Sequence, residues 1–217
     1  IGRFSLTASL FCCNDPAGVL IANGGWTLDD RYSGLFETLP EAGSSPLSRT
    51  PVFRELDNRP GWYAGMGWNI RGAGTLSIYR YNNDANDEIT RGTASGWRTK
   101  FWSGGWESHF GSVSLLAQAM TGSTVIEFPG AYFDVNFESS YLLASYDWSD
   151  WRLSGRVESF STQAEYGGGE NGNAFTAALS WMPKDWLRIT TEVIALDSRR
   201  DERVIEGLAP RQSQGQD

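Results

Sequence analysis

The sequence predicts an all-β chain of about ten antiparallel strands running up and down, with short turns alternating with long loops. Three observations carry this. Apolar residues recur with a period of two along most of the chain, the pattern of strands with one apolar and one polar face. The 217 residues include 25 glycines, ten tryptophans and only eight prolines, with 13% aromatics, a mixture that favours strands and turns over helices. Finally, a strand–turn–strand unit repeats four times between residues 60 and 198.

Taken in order, residues 1–59 give one clear strand, Arg3-Phe4-Ser5-Leu6-Thr7-Ala8-Ser9-Leu10, then a turn-rich stretch through Asn14-Asp15-Pro16 and a Pro/Ser-rich connector. Too long for a simple loop, the connecting part is expected to form a lid or a segment folded into a lumen. The first repeat runs from Trp62 to Trp68, turns through Arg71-Gly72-Ala73-Gly74 and returns from Thr75 to Tyr79. The second runs from Lys100 to Trp106, turns near His109-Phe110-Gly111 and returns from Ser112 to Ala119. The third runs from Tyr141 to Tyr146, turns at Asp147-Trp148-Ser149-Asp150 and returns from Trp151 to Glu158. The fourth runs from Ala174 to Trp181, turns at Met182-Pro183-Lys184-Asp185 and returns from Trp186 to Val193. The markers Trp68, Trp106, Tyr146 and Trp181 lie 38, 40 and 35 residues apart, the length of two strands and two connections. Residues 82–96, 122–130 and 162–173 read as the long loops, and residues 199–217 as a polar tail.

Within the third repeat Trp151, Leu153, Gly155 and Val157 share one face, and Arg152, Ser154, Arg156 and Glu158 the other. Phe133, Val135 and Phe137 fall on the opposite parity from Leu142, Ala144 and Tyr146, which predicts a bulge or a loop break near Ser139-Ser140. A soluble sandwich would also alternate. The aromatics favour a membrane: Trp68, Trp106, Tyr146, Trp148, Trp151, Trp181 and Trp186 all sit within a few residues of the short turns. Amphipathic rings gathered at one strand end match the interfacial girdle of a transmembrane barrel. No run of apolar residues exceeds four, against about 20 for a spanning helix. Transmembrane helices are thereby excluded and transmembrane strands are not.

The four hairpins, with their Trp or Tyr before the turn and a Trp-x-Leu-like start after it, resemble those of bacterial outer-membrane porin-like β-barrels, over residues 60–198. Asn14-Asp15-Pro16-Ala17-Gly18 followed by Gly25-Trp26-Thr27-Leu28-Asp29-Asp30-Arg31 is similar to a segment of uncharacterised porin-like proteins. The resemblance implies an up-and-down barrel in the bacterial outer membrane, surrounded by lipid, passing small polar solutes and open to homo-oligomerisation. In such families the chain closes on a strand with a terminal aromatic. This one reads Gln216-Asp217 there, so a fragment is expected.

Chemistry is sparse. The net charge of −8, with no basic run longer than Arg199-Arg200, disfavours nucleic acid. Cys12 and Cys13 are neighbours and read as two thiols rather than a staple. His109, the single histidine, has no second ligand at metal spacing and reads as a turn residue; no metal and no cofactor is expected. The triple glycine Gly167-Gly168-Gly169 lacks the Lys-Ser/Thr of a phosphate loop, and no catalytic motif occurs, so the chain is expected to be no enzyme. If the apolar face meets lipid, Arg152, Arg156, Glu158, Arg188 and Glu192 face a wet lumen and become pore-wall candidates. The alternative reading of these charges is that Arg and Glu pair with one another and stiffen the wall. The alternative reading of the whole chain is a soluble lectin-like module in which Trp26, Trp62 or Trp97 stacks on sugars; a barrel with a plugged lumen is a third.

Overall fold

The computed structural model describes residues 2–12, 38–40, 49–51, 55–91, 94–128, 131–165 and 169–200. They form thirteen strands: β1 (Arg3–Phe11), β2 (Thr38–Pro40), β3 (Arg49–Pro51), β4 (Gly61–Ile70), β5 (Gly74–Asn82), β6 (Thr90–Arg91), β7 (Ala94–Ser95), β8 (Trp97–Phe110), β9 (Val113–Phe128), β10 (Ala131–Trp148), β11 (Trp151–Ala164), β12 (Glu170–Lys184) and β13 (Leu187–Arg200). Nine of them make one antiparallel up-and-down sheet in the order β1-β4-β5-β8-β9-β10-β11-β12-β13. The short strands pair separately, β2 with β3 and β6 with β7. Of the expected lid or lumen segment, residues 13–37, 41–48 and 52–54, which include Cys13 and Trp26, lie outside the described residues, as do residues 201–217 of the tail, whereas Arg199 and Arg200 end β13.

Each of the four short turns falls within the stretch the sequence gives it or one residue beyond, and the last three are tighter than expected, with β8 running to Phe110, β10 to Trp148 and β12 to Lys184. At the first, the amide of Ala73 donates to the carbonyl of Ile70 at 3.0 Å, and Gly72 and Gly74 take positive φ (78° and 99°), which glycine adopts without Cβ strain. Gly111 (φ 60°) and Ser149 (φ 48°) serve the second and third. At the fourth the register shifts between Trp181 and Lys184.

The long side differs from expectation. Residues 122–130 are not a long loop: β9 runs on to Phe128 and β10 starts at Ala131. Residues 162–173 are mostly strand as well, with β11 reaching Ala164 and β12 starting at Glu170. Nor is there a bulge or a loop break at Ser139-Ser140, since β10 pairs with β9 and β11 in unbroken register through both residues. The parity change has another cause. Register puts Leu142, Ala144, Tyr146 and Trp148 on the outer face of β10 and Phe133, Val135 and Phe137 on the inner face of the same uninterrupted strand. Apolar residues change sides along the strand while the backbone does not.

The same inversion crosses the sheet. Toward the short turns the outer face is apolar and exposed, with Leu153 at 50%, Val157 at 53% and Phe175 at 51%. Toward the loops the outer positions turn polar (Ser159, Ser161 and Gln163 on β11; Asn171 and Asn173 on β12), and the inner ones bury Phe137, Ile126, Trp97 and Phe160. A row of inner rings, Phe11–Tyr81–Phe101–Phe137, has successive centroids 5.3, 4.8 and 6.4 Å apart. It passes over Gly61 of β4 and Gly122 of β9, and a Cβ on Gly122 would sit 2.7 Å from Cζ of Phe137. Covering a strand glycine with a neighbouring ring is a recognised way to pin register. Residues 83–91 tie onto this end, with the Glu127 amide donating to the Asp87 carbonyl at 3.0 Å, and Asp57 of residues 55–60 accepts from the Asn86 amide. The Asn83 side chain donates to the Trp97 carbonyl (2.8 Å) and accepts from the Thr99 amide (2.8 Å), and Arg98 pairs with Asp87 at 2.9 Å.

Among the described residues β1 and β13 have no strand on their outer sides. A sheet in hydrocarbon excludes free edges, so both require strand partners in the membrane.

These contacts separate two glycines. Gly122→Ala places a Cβ against the Lys100 carbonyl, the Phe101 Cβ and the Phe137 ring and should cost about 1–3 kcal/mol, whereas at Gly155 nothing lies within 4 Å of the new Cβ, so Gly155→Ala should be neutral. Urea unfolding of detergent-folded protein measures both.

Candidate functional site: the two faces of the strand wall

Period two and the pairing register fix which residues share a face. On the outer face the apolar belt is built on β1 by Phe4, Leu6 and Leu10, on β4 by Met66 and Trp68, on β8 by Trp102 and Trp106, on β11 by Trp151, Leu153 and Val157, and on β12 by Phe175, Leu179 and Trp181. The belt sits lower along the strands toward β13, as expected for strands tilted to the membrane normal. Of the seven aromatics singled out from the sequence, Trp68, Trp106, Tyr146, Trp148, Trp151 and Trp181 lie on this face at the turn end, and Trp186 is in the last turn, 81% exposed. Phe4 stacks on Trp68 (5.5 Å), Tyr146 on Trp148 (5.9 Å) and Trp151 on Trp181 (5.9 Å). Trp106 lies on the outer face while its indole N–H donates to the Ala73 carbonyl of the neighbouring turn at 2.9 Å. Such rings keep an apolar body in contact with the belt and a polar handle satisfied.

The inner face at the same height is polar and internally bonded. Arg152, Arg156 and Glu158 on β11 and Arg188 and Glu192 on β13 all carry the inner parity. Arg152 makes a two-pronged ion pair with Asp147 of β10, Nε to Oδ1 at 2.6 Å and a terminal nitrogen to Oδ2 at 2.9 Å. Arg156 pairs with Glu158 two residues along its own strand (2.7 Å) and lies over the Tyr141 ring, 4.3 Å from the centroid. Hydroxyls meet across strands in Ser145–Ser154 (2.8 Å) and Ser180–Thr190 (2.8 Å), and Gln118 donates to Ser103 (2.8 Å).

His109, read as a turn residue, is the penultimate residue of β8, with its ring between Glu107 (3.0 Å) and Ser114 (2.9 Å). The sequence reading missed Asp147 and Tyr141 as partners of the arginines. Asp147 was taken into the turn, and only the register that sets it opposite Arg152 reveals it. The inner face of the described residues carries Arg3, Arg152, Arg156, Arg188 and Arg200 against Glu107, Asp147, Glu158, Glu170 and Glu192, so formal charges cancel. Among the described residues no group of three His, Cys, Asp or Glu is placed to hold a metal ion. Cys12 is a free, exposed thiol. Of the tryptophans offered for sugar stacking, Trp97 is 2% exposed and faces inward, which removes it as a platform, and Trp62 lies on the outer face, half-buried, at the loop-side edge of the belt.

A two-faced, nine-stranded antiparallel meander of this kind is the fold of an outer-membrane β-barrel, and the bacterial outer membrane is the location consistent with it. The solved structure of OmpTdeltaL8, the loop L8 deletion mutant of OmpT, an outer membrane protein of Vibrio cholerae, is similar to it, with a TM-score of 0.52 and 12% identity. The match covers 91% of this chain and 70% of that one. No family model matches the sequence, and no curated protein does. This match corrects one expectation, the exclusion of enzymatic activity. At this identity the likeness defines a fold, and a fold does not decide between transport and catalysis, so the absence of sequence motifs no longer supports that exclusion.

The faces make opposite demands on charge. Leu153→Arg or Leu179→Arg puts a cation on the apolar belt and should cost about 2–4 kcal/mol. Arg152→Leu, on the wet side, should be milder, its main loss being the partner of Asp147. Heat-modifiable mobility in outer-membrane folding assays ranks the three; equal tolerance would mean the faces are reversed.

Proposed function

We propose that this chain forms part of the wall of an outer-membrane, porin-like channel through which small polar solutes diffuse passively. The observation that supports this reading is the inner face between the turn end and the ring row. It is hydrogen-bonded, polar and charge-balanced, directly behind an apolar belt that suits lipid. A wall whose charges balance, with Arg152 paired to Asp147 and Arg156 to Glu158, presents little net charge to hold a passing solute tightly, which is the requirement for conduction. Arg152, Arg156, Glu158, Arg188 and Glu192 are its pore-lining side chains, and Trp68, Trp106, Tyr146, Trp148, Trp151, Trp181 and Trp186 its interfacial anchors. Lipid on one side and small solutes on the other are its partners; a homo-oligomer is the assembly proposed by analogy with porin-like barrels.

Balanced wall charge predicts weak ion selectivity. In planar bilayers the protein should conduct with a reversal potential near zero in a salt gradient. Changing Arg152, Arg156 and Arg188 to Gln leaves five inner carboxylates against two arginines and should shift it toward cation selectivity. The shift should be largest at low salt, where screening, about 8 Å at physiological ionic strength, reaches furthest. Absence of conductance would overturn the channel reading in favour of a plugged barrel. Conductance with no shift in the variant would remove these arginines from the conduction path.

A further inference from the structure

On the outer face, where the apolar belt gives way to polar residues over β8–β11, one row of side chains is unusually small. Gly104, Ala119, Ser140 and Ser159 lie side by side on four adjacent strands. They floor a trough of about 470 Å³ whose wall includes Trp102, 50% exposed. That volume falls within the range of small-molecule sites, about 300–1,000 Å³. The next row toward the loops carries Trp102, Thr121, Glu138 and Ser161, so the trough has hydroxyls and a carboxylate along its loop side.

Its β5–β8 end is cationic. Arg80 lies over the Trp102 ring, 5.2 Å from the centroid, and Lys100 is exposed two residues from Trp102 on the same face. Arg80 and Lys100 are diagonal neighbours on paired strands, roughly 7–8 Å apart at the backbone. Among the described residues neither meets a carboxylate within ion-pair distance, in contrast to Arg98, Arg152 and Arg156. Two cations with no carboxylate partner at the loop-side edge of the apolar belt are placed to attract an anionic headgroup.

We propose that this trough holds one membrane lipid whose headgroup carries a phosphate and free hydroxyls. The phosphate lies between Arg80 and Lys100, which supply the charge complementarity and, through the guanidinium, a two-pronged contact. Headgroup hydroxyls reach across the row beside Trp102 toward Thr121 and Glu138, and the body of the lipid lies on the small-residue floor of Gly104, Ala119, Ser140 and Ser159. The acyl chain runs turnward over Ile78, which lines the trough, and the belt below it. The proposal rests on the membrane placement of the belt and is independent of whether the lumen conducts.

The test is native mass spectrometry of the full chain, released from micelles containing phosphatidylglycerol or, in parallel, phosphatidylcholine. The expected result is one retained phosphatidylglycerol per protein, retained at least tenfold more than phosphatidylcholine. Arg80→Gln with Lys100→Gln should lose that preference. Ser140→Leu with Ser159→Leu, which fills the floor while keeping both cations, should lose the bound lipid; both pairs should keep heat-modifiable mobility. Should either double variant fail to fold, Lys100→Gln alone and Ser159→Leu alone, each expected to cut retention several-fold, take its place. Equal retention of the two lipids, retention unchanged in both variants, or displacement by inorganic phosphate at matched ionic strength would overturn the proposal. So would a protein dimer that the floor-filling variant dissociates, which would make the trough a contact between copies.

Discussion

In hydrocarbon no water is available to satisfy a backbone amide or carbonyl, so a strand can cross only if a neighbouring strand takes up its hydrogen bonds along the whole crossing. The nine-stranded sheet meets that demand through continuous antiparallel registers, twelve to sixteen residues long on the ladders joining β8 to β13. Once the backbone is committed to such a ladder, each residue has only two directions to point, and everything else about this molecule is a question of which side each chemistry occupies. The belt, the girdle, the polar inner wall and the ring row are four answers to that question at different heights. Among the described residues, the unpaired sides of β1 and β13 are where that demand is still open.

The inversion of faces toward the loops has a direct physical reading. Where lipid ends, water meets the outer surface, and the strand segment there follows the rule of soluble sheets, polar outward and apolar inward. Phe137, Ile126 and Phe160 are therefore core residues in the ordinary sense, while Leu153 and Val157 on the same sheet are exposed because lipid is their solvent. Glycines at 61 and 122 let the inner rings lie flat across strands, so the loop end is closed by packing and the turn end by hydrogen bonds and ion pairs.

Much of the sheet was legible because turn chemistry and period two are local signals. Gly72, Gly74 and Gly111 sit at positive φ where the sequence placed turns, and the alternation from Trp151 to Glu158 gave both faces of β11 correctly. The loop-side half of the strands was not legible, because the period was assumed to keep one phase. Residues 121–126, Thr-Gly-Ser-Thr-Val-Ile, show no apolar face under that assumption, yet Thr124, Val125 and Ile126 are buried β-branched residues of an uninterrupted strand. The parity change at Ser139-Ser140 was read as a bulge or break in the chain when it marks a change of solvent around the chain. For the wall charges, facing direction follows from parity, but partners follow from register. Arg152 finds Asp147 only because a two-residue turn at Ser149-Asp150 sets them opposite each other. A fold match at 12% identity supports the β-barrel fold and says nothing about the lumen's contents.

The inversion of faces is the claim on which the rest stands, and site-directed spin labelling along β11 tests it most directly. With Cys12 and Cys13 replaced by serine, single cysteines at positions 152 to 163 would be labelled in protein folded into lipid vesicles, and the collision rates of each label with oxygen and with a water-soluble nickel complex recorded. The account predicts oxygen maxima at 153, 155 and 157 and nickel maxima at 152, 154 and 156. From 159 the phase should change, with 159, 161 and 163 exposed to nickel and 160 and 162 shielded from both. An alternation that keeps one phase from 152 to 163, or none at all, would contradict it.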